Sequence, residues 1–153
     1  MRVYLAGAIE KAPDGGKEWR REETKFIDQN LGWKIFDPTL EEAQYFTEED
    51  WKKYRSYKRE NFPKYVEMVR TMIDRDLEQL LGETDIVICK WDEFAQQGGG
   101  TAGELTMAYF YKIQVYMVVS NGKNDVPGWI LACAEHIFED FDALNERLLS
   151  DFL

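Results

Sequence analysis

Chemistry in this chain would centre on Glu104. It closes the stretch Gln96-Gln97-Gly98-Gly99-Gly100-Thr101-Ala102-Gly103, between an apolar run (Asp85 to Trp91) and a helix-like segment (Leu105 to Lys112). Strand, glycine loop and helix start, in that order, put a carboxylate at the carboxyl edge of a sheet, where open α/β folds bind ligands. Consecutive glycines let the backbone approach a ligand with no Cβ in the way. The first amides of the helix lack intrahelical partners and favour an anion or an ionised carboxylate beside them. The spacing sets Glu104 in the first turn. It also fits a capping box, with Thr101 as N-cap and Glu104 reaching back to the cap amide. On spacing alone, that structural role stands level with the functional one.

Two further carboxylates lie on the helix expected from Phe62 to Leu81, where Phe62, Val66, Val69, Ile73, Leu77 and Leu80 recur every three or four residues. Asp74 and Asp76 fall on opposite margins of that stripe, so spacing does not choose which one meets the sheet. Metal and histidine-triad chemistry are excluded by count. The chain holds two cysteines (Cys89, Cys133) and one histidine (His136), without ligand spacing. Cys89 lies in an apolar strand pattern and reads as a small buried hydrophobe. No cofactor is expected.

A net charge of −10 repels polyanions, so a nucleic-acid polymer is not an expected partner. A small neutral or anionic ligand held by local backbone donors is. The apolar run at the start is too short for a signal peptide, and no span has the length to cross a bilayer. The expectation is a cytoplasmic protein with no membrane partner.

The elements that must position these carboxylates follow from the pattern. With 153 residues, 44% hydrophobic and 14% aromatic, the chain fits one folded domain over 1–153. Arg2 to Leu5 reads as a strand ended by Ala6-Gly7-Ala8, followed by a polar loop to Gly16. A surface helix runs from Lys17 to Leu31 on Trp19, Phe26, Ile27 and Leu31, with Gly32 as its stop. Trp33 to Phe36 is a second strand, closed by Asp37-Pro38; a β-α-β opening of this kind implies parallel strands and a right-handed crossover.

Glu41 to Asn61 is charged and rich in aromatics (Tyr45, Phe46, Trp51, Tyr54, Tyr57). It reads as a solvated helical excursion packing its rings on the sheet edge, or else as a lid or subunit contact over the strand ends. Asp85 to Lys90 is a third strand, apolar as one covered on both faces should be, and Trp91 to Phe94 crosses its carboxyl end. Gln114 to Val119 is the fourth strand, Asn121-Gly122 a turn and Trp129 to Ala134 a short helix. His136 to Phe138 is the fifth strand, and Phe141 to Leu149 the terminal helix. The sum is a doubly wound, flavodoxin- or Rossmann-like five-stranded parallel sheet in the order 2-1-3-4-5.

Val3-Tyr4-Leu5-Ala6-Gly7, Arg75-Asp76-Leu77, Thr84-Asp85-Ile86-Val87, Gly100-Thr101-Ala102-Gly103-Glu104-Leu105 and Ala108-Tyr109 together resemble the nucleoside 2-deoxyribosyltransferase family. The pieces come in family order and spacing over most of the chain. The resemblance implies N-glycosidic chemistry on 2′-deoxynucleosides or their 5′-monophosphates, with transfer to a free nucleobase or to water. It implies Glu104 as nucleophile, with Asp76 orienting it or binding the sugar. The substrate-binding residues it implies are Tyr4, Gly7, Gly98, Gly100 and Thr101, and it implies a homo-oligomer whose neighbouring subunit completes the site.

One position departs from the family. Its transferases carry an aspartate six residues before the nucleophile, thought to handle the base's proton, where this chain has Gly98. Asp92 or Glu93, at the end of the third strand, are the candidate replacements, and Gln97 could supply hydrogen bonds there. From below, the chemistry is coherent: breaking an N-glycosidic bond develops oxocarbenium character at C1′, which a carboxylate can stabilise and then trap covalently.

Two other readings use the same stretch. Gly-Gly-Gly-Thr-x-x-Glu is also similar to the PGGxGTxxE motif of the cytokinin-activating nucleoside-monophosphate phosphoribohydrolases, without its proline. A non-catalytic nucleotide-binding module, with Glu104 only a cap, is the third.

Overall fold

The computed structural model describes residues 1–41 and 44–153. Five strands form one all-parallel sheet: β1 (Arg2–Gly7), β2 (Lys34–Phe36), β3 (Ile86–Lys90), β4 (Gln114–Val118) and β5 (His136–Phe138), in the order β2-β1-β3-β4-β5. Seven helices accompany them among the described residues: α1 (Lys17–Asn30), α2 (Glu48–Glu60), α3 (Phe62–Glu83), α4 (Glu93–Gln97), α5 (Gly100–Phe110), α6 (Gly128–Ala132) and α7 (Phe141–Phe152). The doubly wound architecture is the one the hydrophobic pattern implied. None of these helices is long and apolar enough to cross a membrane.

The core divides by the two-residue period of the strands. Tyr4, Ala6, Val87, Cys89, Val115 and Met117 face one side, where Leu80 of α3 and Leu105 and Ala108 of α5 cover them. Val3, Leu5, Ile86, Ile88 and Val118 face the other, under Trp19 and Ile27 of α1 and Leu144 and Leu148 of α7. Each such leucine, fully buried, contributes about 2 kcal/mol of transfer free energy.

Two consequences fix the site. β1 is an interior strand, pairing β2 on one side and β3 on the other, with Gly7 opposite Lys90 at the carboxyl ends. The chain leaving β1 goes to α1 on one face, while that leaving β3 goes through α4 to α5 on the opposite face. The loops diverge, and a crevice opens between them at the point where the strand order reverses.

The first of those loops is held by Arg20. Its guanidinium is fully buried and donates to the carbonyls of Leu5 (3.2 Å), Gly7 (2.9 Å), Ala8 (3.4 Å) and Gly16 (2.8 Å), with Asp37 at 3.8 Å. These carbonyls lie past Tyr4, the last β1 residue paired to β2, and on into the loop. Gly16 has φ +71°, and a Cβ there would sit 2.2 Å from the Ala8 carbonyl oxygen. Only glycine fits.

Three expectations are corrected. Trp91 to Phe94 does not simply cross the strand end: Asp92 caps a short helix, accepting from the amides of Phe94 (3.0 Å) and Ala95 (2.9 Å). α5 begins at Gly100 rather than Leu105. α2 packs chiefly against α3, not on the sheet edge. Glu42 and Ala43, near the start of the charged stretch, lie outside the described residues.

Candidate functional site

Because α5 starts early, Glu104 stands in the second helical turn, not the first. Gly99 is the N-cap and makes no side-chain cap bond, while Gly103 donates to the Gly99 carbonyl at 3.1 Å. The Thr101–Glu104 capping box is therefore not formed. Thr101, Leu105 and Ala108 are the buried positions of α5, and they turn its inner face onto β1 and β3. Glu104, next to Leu105, lies on the margin of that face towards the crevice.

Tyr4 reaches Glu104 from beneath. It shares a sheet face with Ala6, is fully buried, stacks on Phe36 at 5.3 Å and places its hydroxyl 3.1 Å from Glu104 Oε1, to which it donates. Burial, followed by the charges of Glu104 and Asp76, pushes the Tyr4 phenol far above its ordinary range. It stays a donor.

Asp76 arrives from α3 and lines the same two cavities as Glu104, while Asp74 is exposed. Arg75 holds Asp76: its Nε and Nη2 both lie 2.7 Å from Asp76 Oδ1. The Arg75 guanidinium also lies 5.7 Å from the centre of the Tyr45 ring.

Burial raises the proton affinity of both carboxyls, and Asp76 raises that of Glu104 further. Burial first, and Asp76 second, push Glu104 up to about 8, against the opposing pulls of the Tyr4 hydrogen bond and of Arg20 and Arg75. Asp76 is also raised by burial, but its hydrogen bond to Arg75 and that residue's charge pull it back. Such a pair separates into a protonated member and an ionised one near neutral pH. Glu104 is the member that holds the proton at rest.

Glu104 and Asp76 sit where two cavities meet. The larger, about 440 Å³, has an aromatic and aliphatic wall formed by Trp51, Tyr54, Tyr65, Val69 and Met72. Trp51 and Tyr54 stack at 4.8 Å, and Tyr54 and Tyr65 at 6.4 Å. The smaller, about 180 Å³, is lined by Gly7, Ala8, Lys11, Gly98, Gly100 and Thr101. Ile9, Glu10, Gly99 and Gly100 border both. A third cavity of about 730 Å³ lies beyond Trp51 and touches neither carboxylate.

None of the glycines over Glu104 has positive φ, and a Cβ added at Gly98, Gly99, Gly100 or Gly103 would meet nothing within 4 Å. Backbone freedom is thus not what requires glycine here. What glycine provides is space: the missing methyl groups leave the cavity floor open down to the amides.

Of the residues expected at the site, Tyr4, Gly7, Asp76, Gly98, Gly100, Thr101 and Glu104 come together. Asp92 and Gln97 do not line either cavity. Asp92 is engaged as the α4 cap, with Lys90 Nζ at 3.8 Å, and Gln97 is exposed at the end of α4. The second reading of Glu41 to Asn61, a lid or subunit contact over the strand ends, covered Trp51 and Tyr54. Sequence reasoning missed the rest of the wall (Tyr65, Val69 and Met72), the loop residues Ile9 and Glu10, and Arg75 as the partner of Asp76. Trp51 and Tyr54, one turn apart on an otherwise polar helix, were the available signal for the wall. Among the described residues no cluster of side chains is built to hold a metal. A scan against protein-family models finds no match, and no curated protein matches the chain.

Proposed function

We propose that this protein cleaves the N-glycosidic bond of 2′-deoxynucleosides or their 5′-monophosphates through a covalent deoxyribosyl–Glu104 intermediate, which a second nucleobase or water then resolves. The observation that carries the reading is the buried Tyr4–Glu104 contact of 3.1 Å beside Asp76, at the junction of an aromatic cavity and a glycine-floored one. A nucleoside has the same two-ended chemistry. Its base suits stacked rings, and its sugar, with a 5′-hydroxyl or phosphate, suits open amides at the start of α5 beside Thr101 and Lys11.

In this reading Glu104 attacks C1′ as the C1′–N bond lengthens. Burial leaves its charged form poorly solvated at rest, so it gains most when positive charge grows at C1′. Tyr4 fixes the orientation of the carboxylate, and Asp76, anchored by Arg75, takes the sugar hydroxyl. The exposed rings of Tyr109, Phe110, Tyr111 and Trp129, at the far end of α5 and on α6, supply the apolar surface for a homo-oligomer.

The test is incubation with each deoxynucleoside and its monophosphate, with and without a second free base, followed by chromatography and intact-protein mass. The wild type should release base, exchange it, and accumulate a deoxyribosyl adduct. Glu104→Gln should keep the fold and lose at least about a hundredfold in turnover. Turnover near wild type in that variant would overturn the assignment.

A further inference from the structure

We propose, resting on the N-glycosidic reading, that Glu10 is the acid and base that serves the nucleobase. Departure of a base needs a proton at the leaving nitrogen or an equivalent hydrogen bond. Of the groups in reach, Tyr4 is committed to Glu104 at 3.1 Å and Asp76 to Arg75 at 2.7 Å. Asp92 is spent on the α4 cap, outside both cavities. Among the described residues Glu10 is the remaining carboxylate on the lining, and it borders both cavities that share Glu104.

Three further observations assign it to the base side. Glu10 lines the aromatic cavity together with Trp51 and Tyr54. It lies near enough to Arg55 to help hold that guanidinium charged, behind the larger effect of the Tyr54 hydroxyl. It has no hydrogen bond or ion pair among the described residues, so its carboxyl is free to turn towards a ligand. Its backbone is not free: the loop is tied at Gly7, Ala8 and Gly16 by Arg20. A carboxyl without a partner among the described residues, on a tied loop and lining the cavities that Glu104 also lines, offers the pairing of two carboxyls that glycoside cleavage uses.

In the first step the C1′–N bond breaks and its electron pair stays on the base. On substrate binding the proton that Glu104 holds at rest passes to the Glu10 carboxylate across the cavity they share. The Glu10 carboxyl then gives it to that nitrogen as an oxygen of the ionised Glu104 bonds to C1′. In the second, the Glu10 carboxylate takes a proton from water or from the incoming base, whose oxygen or nitrogen bonds to C1′ as the Glu104 oxygen leaves.

Two matched substrate pairs test this: 2′-deoxyguanosine against 7-methyl-2′-deoxyguanosine, whose cationic base leaves without a proton, and 2′-deoxyuridine against 5-fluoro-2′-deoxyuridine, whose base is the better leaving anion. Glu10→Gln, with an unchanged melting temperature, should lose about a hundredfold in kcat on the unactivated member of a pair. It should lose less than about threefold on the activated member, which needs no acid. Equal losses on both members, or no loss on either, would overturn the role of Glu10 while leaving the glycosidic reading intact. A wild-type protein that turns over neither pair, nor any other deoxynucleoside, whether as nucleosides or as 5′-monophosphates, would overturn that reading itself.

Discussion

Two glycine-bearing loops flank the site, and they use glycine for opposite reasons. In the β1–α1 loop the protein's own atoms demand it. A Cβ on Gly16 would meet the Ala8 carbonyl at 2.2 Å, and one on Gly7 would meet the Trp19 ring at 2.9 Å. In the β3–α5 connection Gly98, Gly99 and Gly100 adopt conformations open to other residues, with nothing inside 4 Å of an added methyl. The first loop is a packed part of the scaffold. The second lines the cavity beside two raised carboxyls, and no described neighbour fills the room left by its missing side chains. Glycine content alone would have ranked the two alike.

Replacing Arg20 should give the largest effect, because the packed loop depends on it. Arg20→Met keeps much of the side-chain volume but removes the donors that satisfy four buried carbonyls, and leaves Asp37 without its cation. Unsatisfied buried groups cost about 1 to 3 kcal/mol each, and water can reach some of them, so a net loss of about 4 kcal/mol is expected. Urea denaturation measures it. A loss under about 1 kcal/mol would mean the loop is held by something other than Arg20.

Proton linkage at Glu104 should come next in size. The folded state holds the carboxyl up to about 8, against 4.5 for a glutamate fully in water. Between those limits the native state binds more protons than the unfolded chain, so stability is fully present below about 4.5 and is lost as pH rises through about 8. Asp76, also raised, adds in the same direction. So does Glu23, buried between α1 and α7 with Asn145 at 3.3 Å and pushed up to about 7 by burial. Glu104→Gln subtracts only its own share. The variant should therefore gain about 2 kcal/mol on the wild type at pH 9 and little at pH 4, read from melting curves across pH. A pH-independent difference would mean that Glu104 is not held protonated in the fold.

How much of this was legible in the sequence follows from which forces leave a pattern. Strands buried on both faces write continuous apolar runs, so Ile86–Lys90 and Gln114–Val118 were readable to within a residue, and His136–Phe138 without error. The cap of α4 was written plainly, as an aspartate before Glu93-Phe94-Ala95, but a five-residue helix is too short to show a period. The early start of α5 was hidden by its glycines, which are poor helix formers in isolation and were read as loop. The observed start at Gly100 moves Glu104 from the expected first turn to the second. The aromatic wall and Glu10 depend on how α2 and the β1–α1 loop come together over the crevice. That is a long-range arrangement with no local periodicity to announce it.

The smallest stability effect should come from the β3–α5 connection, and there stability and activity should move in opposite directions. Gly100 opens α5 and borders both cavities that hold Glu104 and Asp76. Its backbone is helical and its added Cβ meets nothing. Gly100→Ala therefore introduces no clash and restricts the unfolded chain, so stability should rise by up to about 0.5 to 1 kcal/mol. The same methyl projects into the cavity beside Glu104, over the amides at the start of the helix. If that space takes the sugar or its phosphate, KM should increase about tenfold, roughly 1.4 kcal/mol of lost binding. Turnover at saturation should change far less, since Glu104 and Tyr4 are untouched. Paired thermal melts and steady-state kinetics on one substrate decide it. A variant that is both more stable and fully active would show that the glycines keep nothing open for the ligand, and the contrast between the two loops would lose its functional meaning.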